Sequence, residues 1–202
     1  MKKILALIGA LSLVGLTACG SVNSAATLGD ITITQEELQS SVDQLLVERA
    51  AVDTSQMQLE SGATLNRSQL RFQVLTRVLE EIAKELKINL TDSEITVSRT
   101  NLIARSGGEE ALPTNLVAAQ IASSNFDKYI RANLISTKLN EALLATGVAE
   151  SELNSRISQL ITAKANELKI SINPRYGAWD SQVGDIVEID SAGDAVTTDS
   201  GK

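Results

Sequence analysis

The sequence predicts a mainly α-helical domain closed by two short terminal strands paired together. Between Thr34 and Leu168 apolar residues recur at helical spacing, in segments punctuated by capping residues, Gly and Pro. Only two segments read as strands, Thr27–Ile33 and Lys169–Asn173, and they lie at opposite ends of that helical block. A lone strand leaves its backbone N–H and C=O groups without partners, so the two ends are expected to pair with each other.

Taken in order, Thr27–Ile33 is a strand interrupted by a Gly29-Asp30 turn. Thr34 and Glu37 then form a Thr-x-x-Glu capping box, in which hydroxyl and carboxylate each satisfy a free N–H. The helix that follows carries Leu38, Val42, Leu45 and Leu46 on one face and ends near Val52. Asp53–Thr64 has no strong period and reads as a polar loop. From Asn66 to Ile88, Leu70, Val74, Leu75, Val78, Leu79, Ile82 and Leu86 make a stripe wide enough to be buried on two sides. Thr91-x-x-Glu94 repeats the capping box and opens a third helix with Ile95, Leu102 and Ile103 as its apolar positions.

Gly107-Gly108 stops that helix, and Pro113 opens a short one at a first-turn position. Ser123-Ser124-Asn125 caps a longer helix over Phe126–Ala145, which Gly147 ends. Val148–Leu168 is the last helix, with Leu153, Ile157, Leu160, Ile161 and Ala165 spaced for one face. Lys169–Asn173 alternates as a strand, and Pro174-Arg175-Tyr176-Gly177 is a turn. Beyond Asp180 the chain becomes small and acidic. Residues 181–202, with Asp185, Glu188, Asp190, Asp194 and Asp199 against Lys202 alone, are expected to be disordered.

The N-terminus carries a different signal. Lys2-Lys3, an apolar run from Ile4 to Leu16 and small residues before Cys19 make a secretory signal over residues 1–18, too short to span a membrane in the mature chain. Leu16-Thr17-Ala18-Cys19 also follows the lipobox pattern, in which cleavage exposes a cysteine that carries lipid on its sulfur. An ordinary signal peptide that happens to contain a cysteine is the alternative. The lipobox reading makes residues 19–26 a small polar tether, residues 27–180 the domain, and the extracytoplasmic face of the cell membrane the place of work, with the membrane a partner through lipid on Cys19.

Composition narrows the chemistry. The net charge is −7 and becomes more negative when Lys2 and Lys3 are removed, which argues against nucleic acid or a strongly anionic lipid surface as partner. Histidine is absent and Cys19 is the only cysteine. This removes Ser-His-Asp and Cys-His catalysis, disulfides and most zinc sites. The pairs Glu36-Glu37, Glu80-Glu81 and Glu109-Glu110 are adjacent in sequence, about 100° apart on a helix, and do not face one cleft. No catalytic, cofactor-binding or metal-ligating residue is singled out.

Leu28-Gly29-Asp30-Ile31-Thr32-Ile33-Thr34-Gln35-Glu36-Glu37-Leu38 resembles the opening of the SurA- and PrsA-type secretion chaperones. Ile170-Ser171-Ile172-Asn173-Pro174-Arg175-Tyr176-Gly177 resembles the strand and turn by which those chains return to their core. The passage from Arg71 through Thr91-Asp92-Ser93-Glu94-Ile95 is similar to the long helix and capped start between them. The resemblance implies a helical SurA N-terminal-like fold, of the trigger-factor/SurA peptide-binding kind. The Asn173–Asp180 ending is most like SurA-like lipoproteins of actinobacteria. Family members usually add a parvulin-type prolyl isomerase domain with active-site histidines. This chain has no histidine and no room for that domain, so isomerase activity is not implied and no enzyme is expected.

Two sets of residues are candidate contacts for a client or partner. Val74, Val78 and Ile82 lie on the wide stripe, which is either a core helix packed on both sides or half core and half client groove. Tyr176 and Trp179, close together in a chain with only five aromatics, are either a recognition spot or an anchor for the C-terminal segment. The expected function is ATP-independent, non-catalytic holding of unfolded or partly folded secreted polypeptides. The alternatives are an interaction lipoprotein with one envelope partner, or a non-catalytic cofactor of a separate prolyl isomerase.

Overall fold

The computed structural model describes residues 23–189. Cys19 and the signal segment, and residues 190–202, lie outside the described residues. Six α-helices and two small antiparallel sheets form the fold: β1 (Ser24–Leu28), β2 (Ile31–Thr34), α1 (Gln35–Ala50), α2 (Gly62–Glu85), α3 (Asp92–Arg105), α4 (Leu112–Ala118), α5 (Phe126–Ala145), α6 (Leu153–Glu167), β3 (Ser171–Ile172), β4 (Ala178–Asp180) and β5 (Asp185–Val187).

The two ends of the helical block meet as expected. β1 lies between β2 and β3, antiparallel to both, with Ala26 opposite Ile172 and Thr27 opposite Ser171. Beyond the ladder, Asn173 N donates to Ala25 O at 2.9 Å and Asn173 Nδ2 to Ser24 O at 3.0 Å. The strand begins earlier than its composition suggests. Ser24, Ala25 and Ala26, expected in the tether, are buried in β1, where an irregularity in register falls between Ser24 and Ala26. Small side chains serve here because β1 packs directly on α2.

α2 is the centre of the domain. It packs against α1, α5, α6, β1 and β5, and Leu70, Val74 and Val78 have no exposed surface. Burying each such side chain contributes about 1.5–3 kcal/mol, against about 0–1 kcal/mol for an exposed ion pair, so this packing holds the domain together. A polar seam crosses the same interface: Gln73 Nε2 and Asn125 Nδ2 both donate to Ser41 Oγ, at 3.1 and 3.0 Å, and Ser41 Oγ donates to Glu37 O. α2 also starts earlier than expected, at Gly62, inside the segment read as loop.

Both Thr-x-x-Glu segments start helices, but only one is a complete box. Thr91 Oγ1 accepts from Glu94 N and the Glu94 carboxylate accepts from Thr91 N. At α1, Thr34 Oγ1 accepts from Glu37 N at 3.0 Å, yet the Glu37 carboxylate turns away to Lys128 of α5 (3.0 Å) and Arg77 of α2 (3.7 Å). Two cations from neighbouring helices outcompete one backbone N–H. The expected box becomes a three-helix tie.

The acidic segment after Asp180 is not wholly unstructured. Residues 185–187 form β5, which pairs with β4 through Ala178–Val187, Trp179–Ile186 and Asp180–Asp185. Ile186 enters the main core, and the acids that suggested disorder meet arginines of α2: Arg71–Asp185 at 2.9 Å and Arg67–Glu188 at 3.4 Å. Gly177 makes this hairpin possible. Its φ is 124°, and a Cβ there would sit 2.3 Å from Val187 O.

Leu70→Ala is expected to lower stability by about 2–5 kcal/mol, read as a shift of the urea midpoint. Gly177→Ala is expected to cost about 1–3 kcal/mol and to shift Trp179 emission to longer wavelength as the hairpin lifts. Parental emission and midpoint in that variant would show that the hairpin does not depend on Gly177.

Candidate functional site

The core is in two parts. The main cluster lies among the three-stranded sheet, α1, α2, the middle of α5 and α6. A smaller one holds Ile103 of α3, Leu116 of α4 and Phe126 and Ile130 of α5. α5 serves both: Ile135 and Leu139 enter the main core, Phe126 and Ile130 the smaller. Its apolar surface is therefore too wide for either alone.

The excess lines an open groove between α3 and α5, with a volume of about 390 Å³. That lies within the about 300–1,000 Å³ typical of ligand clefts. From α3 it takes Glu94, Val97, Ser98, Asn101, Leu102 and Arg105, successive turns of one face. From α5 it takes Tyr129, Ile130, Asn133 and Leu134. Ile130 is the buried floor, Leu102, Tyr129 and Leu134 are half-buried walls, and Val97 stands out at 55% exposed.

One end of the groove is braced. The Glu94 carboxylate takes hydrogen bonds from Thr91 N (2.8 Å) and Thr91 Oγ1 (3.0 Å), and pairs with Lys138 Nζ of α5 at 2.6 Å. Lys138, then the Thr91 backbone, holds its pKa down at about 2. Lys138 Nζ also donates to Asn89 O at 2.9 Å, which joins the start of α3 to α5. Behind the groove, Arg99 pairs with Asp127 and stacks over the Phe126 ring, 5.1 Å from its centroid. Arg105, at the other end, is exposed and has no ionic partner among the described residues.

The residues expected to meet a client lie elsewhere. Val74, Val78 and Ile82 are 0%, 0% and 3% exposed, so these three residues are core and offer no client surface, while Leu75 and Leu79 are half-buried and Leu86, just past the end of α2, is 50% exposed. Tyr176 and Trp179 are half-buried against the main core and anchor the C-terminal hairpin. Tyr176 still lines a notch of about 270 Å³ with Gly62, Ala63, Asn66, Arg67 and Arg175. The groove residues Val97, Tyr129 and Leu134 were not singled out from sequence. The available signal was on α5, where Tyr129-Ile130 and Leu134-Ile135 place two large side chains side by side on consecutive turns, more than one interface uses.

Among the described residues no group of three or more His, Cys, Asp or Glu is placed to hold a metal ion. No helix among them is long and apolar enough to cross a membrane. No family model, curated protein or solved structure matches the chain.

The Glu94 brace makes a pH prediction. A carboxylate with its pKa lowered from 4.5 to about 2 contributes stability that is fully present above 4.5 and is lost as pH falls toward 2. The α3–α5 contact should therefore loosen across that window, and Lys138→Met should weaken the dependence, leaving the part due to Thr91. Carboxyl NMR should place the Glu94 midpoint far below 4.5; a midpoint at 4.5 would show that the brace does not form in solution.

Proposed function

We propose that this chain is a membrane-anchored lipoprotein that holds unfolded secreted polypeptides, without ATP and without covalent chemistry. The observation that carries the reading is the α3–α5 groove: open, with Ile130 as its buried floor and Val97, Leu102, Tyr129 and Leu134 lining it beside Ser98, Asn101 and Asn133. An extended apolar segment of an unfolded client would lie along it, covering Val97, Leu102, Tyr129 and Leu134. Its surfaces come from helices fixed at one end by Glu94 and Lys138 and packed on the smaller core, so the groove is pre-formed and costs little ordering on binding.

The resemblance to SurA- and PrsA-type chaperones supports the same reading, through the paired terminal strands and the long central helix. The lipobox at Cys19 supports membrane anchoring. A tether raises the local concentration of a weak binder beside emerging chains into the millimolar range, which suits brief, repeated holding.

Val97→Asp tests the groove, since a half-exposed side chain can be charged without entering the core. The variant should keep its urea midpoint and lose the ability to delay aggregation of a reduced, unfolded client. Protection equal to the parent protein would remove the groove from the function. A single stoichiometric partner recovered in place of many clients would favour the interaction-lipoprotein reading.

A further inference from the structure

With lipid on Cys19, the domain would begin almost at the membrane. Cys19 and Asn23 are four residues apart, a reach of at most about 14 Å even when fully extended. Lipid on Cys19 would therefore hold whatever surrounds Asn23 within a short distance of the headgroup layer, itself roughly 5–7 Å thick per leaflet.

Two short hydrogen-bond paths lead from that point to the Tyr176 notch. Gln35 N donates to Asn23 O at 2.8 Å, and Arg175 Nη1 reaches Gln35 Oε1 at 3.4 Å. Asn173 Nδ2 donates to Ser24 O, and Arg175 N donates to Asn173 Oδ1 at 3.1 Å. Arg175 is exposed and lies over the Tyr176 ring, 5.9 Å from its centroid. Across the notch, Arg67 Nε donates to Tyr176 O at 3.3 Å and Nη1 reaches the exposed Glu188 at 3.4 Å.

The notch thus holds two guanidinium groups, and among the described residues Glu188, on Arg67, is the one carboxylate that pairs with either of them. No acidic residue occupies the adjoining first turn of α2. Beside it the C-terminal hairpin exposes Val187 (38%) and Ile189 (43%), and Val187 O lies against Gly177. Arginine donors next to exposed apolar side chains are the combination that meets a phosphate layer and the edge of acyl chains together.

We infer that the Arg67–Arg175–Tyr176 notch docks the phosphate of a membrane phospholipid headgroup and thereby fixes how the anchored domain sits on the bilayer. The inference rests on the lipid anchor of the proposed function. A net charge of −7 opposes adsorption to an anionic bilayer without the anchor. The anchor supplies proximity, and the notch converts it into one orientation rather than free swivelling about the tether.

Trp179, the only tryptophan, lies in the same hairpin and reports the contact. The lipidated full chain is reconstituted into mixed phosphatidylglycerol–phosphatidylcholine vesicles brominated close to the headgroup, and into brominated galactolipid vesicles that contain no phosphate. Trp179 emission should be quenched in the first and not in the second. Arg175→Glu should lose the quenching; Arg175→Lys, which keeps the charge on the same exposed turn, should retain most of it. Equal quenching in both vesicle types, or full quenching in Arg175→Glu, overturns the docking. Release of the quenching by millimolar inorganic phosphate, a competitor for the same guanidinium donors, supports the docking. A chain that co-sediments with vesicles while Trp179 stays unquenched also overturns docking but leaves the anchor intact. Failure to co-sediment overturns the anchor and this inference together.

Discussion

A helix with a broad apolar stripe cannot leave it in water, and α2 imposes that constraint on the elements near it. α1, α5 and α6 cover it along its length, β1 across one side, and β5 closes a remaining gap with Ile186. The small residues of β1 follow from this demand, since a strand lying directly on a helix has room for Ser24, Ala25 and Ala26 but little more. The buried Ser41–Gln73–Asn125 seam follows too. Where an apolar interface could slide, three hydrogen-bonding side chains fix which turn of α1 meets which turn of α2.

Because the apolar residues Leu70, Val74, Val78 and Ile82 of α2 are fully covered, they leave no apolar groove along that helix. α5 carries the surplus: its Phe126–Ile130 end leaves the main core and gathers α3 and α4 into a second, smaller one. Three elements cannot enclose that cluster as completely as the larger set encloses α2, and the unfilled edge is the α3–α5 groove. The same division explains the Glu94–Lys138 brace. With less buried surface between α3 and α5, a charge-assisted contact at the end of the groove matters more to their spacing than a similar pair would beside α2.

Much of the scaffold was legible in the sequence because it is local. Thr34 and Thr91 mark helix starts through contacts within one turn, and the stripe from Leu70 to Ile82 announces burial on two sides. Pairing of the chain ends followed from the backbone's need for partners. What escaped was non-local. Ser24–Ala26 have the composition of a linker and become strand only because α2 lies beneath them. β5 looks too acidic to fold until Arg67 and Arg71 supply opposite charge from a distant helix. Glu37 completes a local motif on paper, and two cations from other helices redirect it. The groove was hidden for the same reason. Periodicity identifies apolar faces, but not which face runs out of neighbours.

The partnership of β1 with β3 also bears on time. Asn173 and Ser24 are joined by a hydrogen bond across 149 residues of chain. A polypeptide delivered N-terminus first presents β1 with one edge unmatched and α2 without α6 until nearly all of it has emerged. Closure is therefore a last step, slow by virtue of its sequence separation. Until then the domain is incomplete, and it becomes a rigid body only when both of its ends are present.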